Sequence, residues 1–273
     1  MIEAHDRDDV RVLRIAHGKA NTLDEEFFAD LAEALDGAEN EEISAIVLTA
    51  SGHIFSAGVD LFRVLESEAT YLDRFLPLFS DGCFRLFTFP KPVVAAVNGH
   101  AIAGGCILAC ACDTRIGASG NGRIGIPELR VGLPFPPVAL EIVRFVVGDQ
   151  RMPLLVLEGA THAPEEALAH GFLDAIVEPE DLLEQAVAKA RRLAAFGAQN
   201  FALSKLQLRR PVLARIARER KKPTERSCES GRHRRPTPRS RPISSARFVA
   251  EPSAYSPCRV GSRSRAPPGR SGF

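Results

Sequence analysis

The sequence has no uninterrupted apolar run that approaches about 18 residues, the length typical of a membrane-spanning helix. Its first residues also lack a basic stretch followed by an apolar one. The first absence argues against membrane insertion and the second against a secretory signal. We therefore expect a cytoplasmic protein that does not bind membranes. No internal repeat of fixed period is present.

The six cysteines do not have the spacing of a disulfide framework. Three of them, Cys106, Cys110 and Cys112, fall within nine residues of each other in one helical pattern. Buried, reduced thiols are the favoured interpretation, and a metal site at Cys106 and Cys110 is the alternative. We predict no metal site.

Charge is distributed unevenly along the chain. From Arg220 to the C-terminus there are fourteen basic and three acidic residues, a net charge of +11, whereas residues 1–219 carry −10. No leucine follows Leu213, and Ser, Pro and Arg dominate the end of the chain. So little apolar surface cannot offset the cost of ordering the backbone, so we expect residues 220–273 to be disordered.

The composition of this tail allows two further interpretations. Its abrupt onset is typical of translation in a shifted reading frame, which resequencing of the coding region would test. Dense arginine also attracts nucleic-acid phosphates, but the tail has only three aromatic residues, Phe248, Tyr255 and Phe273. We therefore do not expect specific nucleic-acid binding.

Apolar patterns predict an α/β protein. Short alternating or continuous apolar runs predict strands at 10–15, 45–48, 93–97 and 114–117, with a shorter one near 123–126. Thr22-x-x-Glu25 resembles a capping box that starts a helix with apolar residues on one side. Further helical patterns cover 104–112, 139–147, 153–158, 164–170 and 182–196. This order predicts a parallel sheet with helical crossovers, followed by an all-helical region.

Two glycine-bearing turns, at residues 55–61 and 98–106, each follow a β-like run and lead into a helical pattern. Backbone N–H groups at a helix N-terminus lack partners, and two of them converging on one point would form an oxyanion hole. Neither turn ends in the Gly-Lys-Ser/Thr of a phosphate-binding loop, and Ser56 lacks the Gly-x-Ser-x-Gly context of serine hydrolases. Chemistry on an activated acyl group is therefore predicted. The alternative is that both turns merely connect strands to helices.

Together with Lys19-Ala20-Asn21-Thr22-Leu23 and Pro127-Glu128-Leu129-x-x-Gly132, the two turns form four ordered motifs. This set resembles the crotonase superfamily, the enoyl-CoA hydratase/isomerase fold, over roughly residues 10–208. The resemblance implies a crotonase-like ββα spiral core over residues 1–198. The start of a helical C-terminal region would then occupy residues 199–219, before the tail at 220–273.

The resemblance also implies site residues. The backbone N–H groups of Val59 and Gly104 would polarise the thioester carbonyl of an acyl-CoA, and a Cβ at position 104 could obstruct the substrate. Glu128 would be the catalytic acid/base. The implied substrate-binding residues are Lys19, Ala20, Ala57, Asp60, Leu61 and Ile107. The expected partner is an acyl-CoA thioester, with coenzyme A as part of the substrate and no separate cofactor.

The residues around Glu128 predict its environment. Burial against Leu129, Leu133 and Phe135 would raise its pKa and make it a better base. The alternative is a solvated glutamate that follows a proline.

Three further polar residues have structural interpretations. Asp60 would cap the helix that follows the first turn, with contact to the substrate as the alternative. His100 would be a hydrogen-bonded structural residue, with a place in the acyl pocket as the alternative. Asp113 would hold the strand that follows the helix at 104–112.

One departure from the family pattern bears on the reaction. In the superfamily that this chain resembles, hydratases carry a second glutamate three residues after the oxyanion glycine. This chain has Ile107 at that position. The stretch 103–108 instead resembles the single-glutamate 3-enoyl-CoA to 2-enoyl-CoA isomerases, and the glycine-rich stretch of hydratases is missing at 132–137. We therefore expect a 1,3-proton shift through Glu128.

Two alternatives remain open, an enoyl-CoA hydratase of fatty-acid oxidation and a non-catalytic acyl-CoA-binding pseudoenzyme. The second applies if the helices that close the acyl pocket in relatives are absent beyond about residue 215. The resemblance further implies a homotrimer or hexamer if the C-terminal region folds.

Overall fold

The computed structural model describes residues 1–60, 63–64, 70–133 and 135–220. Leu61 and the predicted tail after Arg220 lie outside the described residues. The described part of the chain forms twelve β-strands, eight α-helices and one 3₁₀ turn. None of its helices is both long enough and apolar enough to cross a membrane.

Groups of two or three strands are separated by helices along the first half of the chain. The strands are β1 Ile2–Arg7, β2 Val10–Ile15, β3 Thr22–Leu23, β4 Ala45–Ala50, β5 Ile54–Ser56, β6 Gly58–Val59, β7 Val93–Val97, β8 His100–Ile102, β9 Thr114–Ala118, β10 Ile124–Gly125, β11 Thr161–His162 and β12 Ala175–Val177. The helices are α1 Glu25–Asn40, α2 Thr70–Thr88, α3 Gly104–Ala111, α4 Pro137–Val147, α5 Met152–Glu158, α6 Pro164–His170, α7 Leu182–Ala194 and α8 Ala198–Arg220. The 3₁₀ turn is Glu128–Val131. The predicted mixed α/β architecture is confirmed. The later region that was expected to be all-helical also contains two strands, β11 and β12, and β12 joins the largest sheet.

The largest sheet has six strands in the order β1-β2-β4-β7-β9-β12. From β2 to β12 neighbouring strands run parallel, whereas β1 pairs antiparallel with β2. Residues of β4 and β7 are buried throughout, as continuous apolar runs predict for strands covered on both faces. β1 was not predicted because it is an exposed edge strand with no apolar alternation.

Both faces of this sheet are covered by helices. Alternate residues of β2, β4 and β7 pack on one face against α7, through Leu182, Ala186, Val187 and Ala190. The opposite residues belong to the main core, which includes buried residues of α1, α2, α3 and α4. The two-residue period of the strands therefore divides the apolar side chains between two cores.

Helix α1 begins two residues later than the predicted capping box implies. Its N-cap is Asp24, whose carboxylate accepts a 2.8 Å hydrogen bond from the backbone nitrogen of Phe27. Thr22 lies instead in β3, opposite Gly58 of β6, so the capping box Thr22-x-x-Glu25 is wrong. The predicted apolar face of the helix is buried, namely Phe27, Phe28, Leu31 and Leu35.

Helix α2 has no counterpart among the predicted helices, and it contains Pro77 in its interior. Proline removes a backbone donor and normally ends a helix, so Pro77 argues against the helix that is observed. Helix α6 follows its prediction, since it ends at His170 and Gly171 caps it with a left-handed φ of 88°.

Helix α8 is attached to the core by a buried ionic cluster. Asp113 pairs with Lys205 (Oδ2 to Nζ, 2.8 Å) and with Arg209 (Oδ1 to Nη2, 2.9 Å). The same carboxylate accepts a 2.8 Å hydrogen bond from the backbone nitrogen of Val93, the first residue of β7. Burial lowers the pKa of Lys205 to about 8, while Asp113 opposes this change. The carboxylate of Asp113 therefore holds β7, rather than the following strand β9 that the sequence predicted, and also a helix that follows it by about 90 residues.

The cysteines of the described region behave as predicted for buried thiols. Cys83, Cys106, Cys110 and Cys112 are all free and buried. Among the residues that the structure describes, no group of three or more His, Cys, Asp or Glu side chains is arranged to hold a metal ion.

Candidate functional site

A second, four-stranded sheet brings three of the sequence motifs together. Its order is β11-β10-β8-β5, and β5, β8 and β10 run parallel to one another. These strands end at Ser56, Ile102 and Gly125. Carboxyl ends of neighbouring parallel strands lie at the same edge of a sheet. Val59, Gly104 and Glu128 each follow one of these ends by two or three residues, so all three are delivered to one edge.

The two glycine-bearing turns lie directly against each other at this edge. Gly58 has a left-handed φ of 85°, and a Cβ atom added to it would lie 2.7 Å from the carbonyl oxygen of Ile102 and 3.0 Å from the nitrogen of Gly104. A Cβ on Gly105 would lie 2.3 Å from the carbonyl oxygen of Ser56. Backbone therefore packs on backbone at two places, and neither position has room for a side chain.

Gly104 itself has a different environment. A Cβ there would approach the Leu23 and Phe79 side chains, each at 3.1 Å. The nearest atoms to this Cβ are thus protein side chains. The expectation that it would obstruct a substrate stays a prediction. Gly58 and Gly105, which the prediction did not select, are the glycines that backbone contact requires.

The second turn leads into helix α3 through a strained residue. Ala103 is the N-cap, with φ 53° and ψ −125°, and its side chain makes no capping hydrogen bond. Such a conformation is rare outside glycine and costs on the order of 1–3 kcal/mol. Because Gly104 is the first residue of the helix, its N–H has no partner within the helix. The strain is thus stored immediately before a backbone donor.

The first turn is fastened along its length to the motif at residues 19–23. The nitrogen of Ala57 donates to the carbonyl oxygen of Ala20 at 3.0 Å, and that of Asp60 donates to Leu23 at 3.3 Å. Strand β6, which contains Val59, pairs in parallel with β3 between these two bonds. Ala20, Ala57 and Asp60 are half-buried and Lys19 is exposed. The structure thus brings these predicted substrate-binding residues together beside Val59, while Leu61 lies outside the described residues.

Asn21 is a member of this region that sequence reasoning missed. It is 1% exposed and has a left-handed φ of 49°. Its side chain accepts from the nitrogen of His17 at 2.9 Å and donates to the carbonyl oxygens of Ser51 and Ile54 at 3.2 and 2.7 Å. Asparagine is one of the few residues that adopt this conformation readily, and that preference was the available signal.

Two of the polar residues in the turns have structural partners. The side chain of Asp60 accepts a 3.2 Å hydrogen bond from the nitrogen of Arg63, the geometry of a helix cap. His100 is buried, and its Nδ1 accepts a 3.1 Å hydrogen bond from the nitrogen of Arg123. Burial lowers the pKa of His100, which favours the neutral ring that this bond requires.

Glu128 is 6% exposed, at the start of the 3₁₀ turn. Neither of its carboxyl oxygens has a hydrogen-bond partner among the described residues. Burial raises the pKa of Glu128 to about 8, although the backbone N–H of Glu128 itself opposes this change. A solvated glutamate is therefore the wrong interpretation.

Leu129 was predicted to help bury Glu128, and this prediction is wrong. Leu129 is 44% exposed, because it follows Glu128 within the 3₁₀ turn and is directed away from the core. Phe135 is partly buried against the main core, and its packing against Glu128 stays a prediction.

The first turn of α3 is apolar and closely packed. Ile107 is 1% exposed within the main core. Burial raises the pKa of the neighbouring Cys106 thiol, and Cys110 and the charge of Glu128 raise it further. Strand β10, which precedes Glu128, pairs with β8, which precedes this turn, so Glu128 and α3 follow the same edge of the sheet. An isolated buried carboxyl group beside two backbone donor turns can exchange a proton next to a polarised carbonyl.

Comparison with known proteins gives matches to one family of enoyl-CoA enzymes. The family model for enoyl-CoA hydratase/isomerase matches residues 7–235. A putative enoyl-CoA hydratase of Thermus thermophilus is 38% identical over 180 residues, which are 64% of this chain and 70% of that protein. A short-chain-enoyl-CoA hydratase of Clostridium acetobutylicum is 32% identical over 204 residues, covering 74% and 78% respectively.

Solved structures share the fold. A probable enoyl-CoA hydratase of Mycobacterium tuberculosis superposes with a TM-score of 0.76 at 31% identity, covering 80% of this chain and 92% of that one. Human mitochondrial delta3-delta2-enoyl-CoA isomerase gives a TM-score of 0.76 at 25% identity, covering 80% and 87%. The expected fold is therefore confirmed, and the names of these similar proteins divide between hydratase and isomerase.

Proposed function

Because the chain belongs to the enoyl-CoA hydratase/isomerase family, we propose that it binds an acyl-CoA thioester and moves the double bond of a 3-enoyl-CoA to the 2-position. One observation carries this proposal. The parallel strands β5, β8 and β10 end at one edge of a sheet and deliver Val59, Gly104 and Glu128 to it.

The two backbone amides act on the thioester. In the proposed reaction the N–H groups of Val59 and Gly104 donate to its carbonyl oxygen. Removal of a proton from C2 converts the acyl group into a dienolate, whose negative charge is concentrated on that oxygen. Donors that are already in place stabilise this charge without reorganisation, and one such donor contributes about 10²- to 10³-fold to kcat in known cases.

Glu128 carries the proton. Its ionised carboxylate takes a proton from C2, and the resulting carboxylic acid returns that proton to C4 of the dienolate. One carboxyl group is sufficient because the base of the first step is the acid of the second. The buried environment that raises the pKa of Glu128 to about 8 also makes the carboxylate a stronger base.

Exclusion of water favours isomerisation over addition. Hydration needs a second polar group to orient a water molecule, and Ile107 occupies the position where the resemblance implies such a glutamate. Its side chain is buried in the core and cannot exchange a proton.

The residues around the first turn complete the proposal. We assign Lys19, Ala20, Ala57, Asp60 and Leu61 to binding of the thioester and its coenzyme A portion, with Ile107 beside the acyl group. Assembly into a homotrimer or hexamer remains a prediction from the resemblance.

Enoyl-CoA hydration is the second candidate function. It is favoured by the names of the Thermus and Clostridium relatives, both of which are called hydratases. Binding of acyl-CoA without turnover, by a pseudoenzyme, is the third outcome that an experiment must distinguish.

The test is a panel of 2-enoyl-CoA and 3-enoyl-CoA thioesters of matched chain length, with the products identified by mass spectrometry and chromatography. We expect conversion of the 3-enoyl thioesters, little hydration of the 2-enoyl thioesters, and loss of conversion in Glu128→Gln. Glu184→Gln is the matched control, because Glu184 is exposed on α7. Efficient hydration without isomerisation would overturn the assignment, and calorimetric binding without any turnover would favour the pseudoenzyme.

A further inference from the structure

Ser56 is the last residue of β5 and is completely buried. Its hydroxyl group makes two hydrogen bonds within the protein. Oγ donates to the carbonyl oxygen of Asn21 at 2.6 Å and accepts from the backbone nitrogen of Gly58 at 3.1 Å. A single side chain thus links the motif at residues 19–23 to the first glycine-bearing turn.

The bond to Gly58 controls a peptide next to the Val59 amide. Glycine has more backbone freedom than any other residue, and the Val59 N–H belongs to the peptide that follows Gly58. The Ser56 hydroxyl fixes the peptide before Gly58, and the bond from Asp60 to Leu23 fixes the chain after Val59. The direction of the Val59 N–H is therefore set between two tethers, of which Ser56 supplies one.

Ser56 also contacts the second turn. A Cβ atom on Gly105 would lie 2.3 Å from the carbonyl oxygen and 2.8 Å from the Cβ of Ser56. The first turn of α3, which presents the Gly104 N–H, thus rests directly on this serine. Displacement of Ser56 would change the position of both donors.

The anchor for the serine is itself rigid. Asn21, whose carbonyl oxygen receives the hydroxyl proton, is buried and held by three hydrogen bonds from and to its side chain. Ser56 is therefore connected to a fixed point of the core rather than to a mobile loop.

We propose that Ser56 is a positioning residue that sets the direction and separation of the Val59 and Gly104 amides. It acts through the backbone and does not touch the substrate. The inference rests on the proposed function of these amides as an oxyanion hole.

The test compares Ser56→Ala and Ser56→Cys with Ser51→Ala. Ser51 is a matched control, because its hydroxyl also donates to a backbone carbonyl, that of Ile15 at 3.1 Å, but it lies in an exposed turn. Three measurements are made on each protein: kcat and KM for a 3-enoyl-CoA, the near-ultraviolet absorption of bound acetoacetyl-CoA as its enolate, and the backbone amide NMR resonances of residues 59 and 104.

Ser56→Ala is expected to lower kcat by about 10- to 100-fold with little change in KM, since misplaced donors lose stabilisation of the enolate rather than of the substrate. The enolate fraction of bound acetoacetyl-CoA should fall in parallel, and both amide resonances should shift. Ser56→Cys, which keeps a weaker hydrogen-bonding group, should lie between Ser56→Ala and wild type. Ser51→Ala should match wild type in all three measurements.

The inference is overturned if folded Ser56→Ala retains the wild-type kcat, enolate fraction and amide resonances. It is also overturned if its activity falls only in proportion to the unfolded fraction, as measured by thermal melting. Wild-type protein that neither turns over an enoyl-CoA nor binds acetoacetyl-CoA would instead remove the proposed function, and the inference with it. Turnover by wild type with an unaffected Ser56→Ala rejects the inference alone.

Discussion

A Cβ atom on Gly58 would lie 3.0 Å from the backbone nitrogen of Gly104, although the two residues are 46 positions apart in the chain. The two donor turns are therefore one packed unit. In a closely packed protein interior, displacement of one segment moves the segments in contact with it. A change in either turn is expected to affect the donor carried by the other.

Gly58→Ala tests this contact. The variant combines backbone strain at a φ of 85° with a clash against the Ile102 carbonyl, so we expect a loss of about 2–4 kcal/mol in unfolding free energy and a lower kcat. Gly52→Ala is the matched control, because Gly52 has a φ of 73° but nothing within 4 Å of the added Cβ. It should cost only about 1 kcal/mol and leave kcat unchanged. Equal losses in chemical denaturation of the two variants would contradict close packing of the turns.

The pH dependence of the reaction should report the Glu128 carboxyl group. Its carboxylate is the active form, and burial raises its pKa to about 8. The value of kcat/KM should therefore rise about tenfold per pH unit through the neutral range and level off above pH of about 8. Steady-state kinetics from pH 5.5 to 9 would measure this. A profile that is already flat at pH 6 would show that a group with an ordinary carboxyl pKa acts instead.

The free energy of unfolding should also depend on the protonation of Glu128, but it should fall as the pH rises, whereas activity increases. The folded protein keeps the proton of Glu128 up to about pH 8, whereas the unfolded chain releases it near the ordinary carboxyl pKa. The protonated Glu128 carboxyl group therefore makes its full contribution to the unfolding free energy of the wild type in acid. That contribution is lost as the pH rises towards 8. Glu128→Gln should be more stable than wild type at pH 7, by on the order of 3 kcal/mol.

Denaturant unfolding of both proteins at pH 4.5 and pH 7 measures this difference, which should nearly vanish at the lower pH. A variant that is less stable than wild type at pH 7 would contradict the conclusion that burial raises the pKa of the Glu128 carboxyl group. Because the variant is inactive in the proposed reaction, the result would also show a stability cost of the catalytic group.

Asp113 should be the most sensitive ionic residue in the described structure. Asp113→Ala leaves Lys205 and Arg209 buried without their partner, and breaking a buried pair in this way costs about 3–5 kcal/mol. Asp149→Ala is the control, because Asp149 is exposed and its pair with Arg144 contributes about 0–1 kcal/mol. Thermal unfolding would measure both variants. Equal melting temperatures for the Asp113 and Asp149 variants would show that the ionic cluster does not attach α8 to the core.

The long parallel strands were predictable from the chain alone. Continuous apolar runs such as Val93–Val97 occur because a strand covered on both faces excludes polar side chains, and this is a local property of sequence. The order of the four motifs was likewise visible, and the family that it implied is confirmed. The identity of Glu128 as the candidate base came from that resemblance, whereas its burial was expected from neighbours of which Leu129 is exposed.

The arrangement of the site depends on contacts between distant segments. Strand β8 contains three residues, too few for any periodicity, and it becomes a strand only by pairing with β5 and β10. A short strand near β10 was predicted, but its neighbours in the sheet were not. No local motif indicates that Ser56 bonds to Asn21, because the two residues are 35 positions apart in sequence. Local patterns report that a segment is buried. Which other segment covers it, and which amides and carboxylates thereby meet, is decided by pairing and packing of the folded chain.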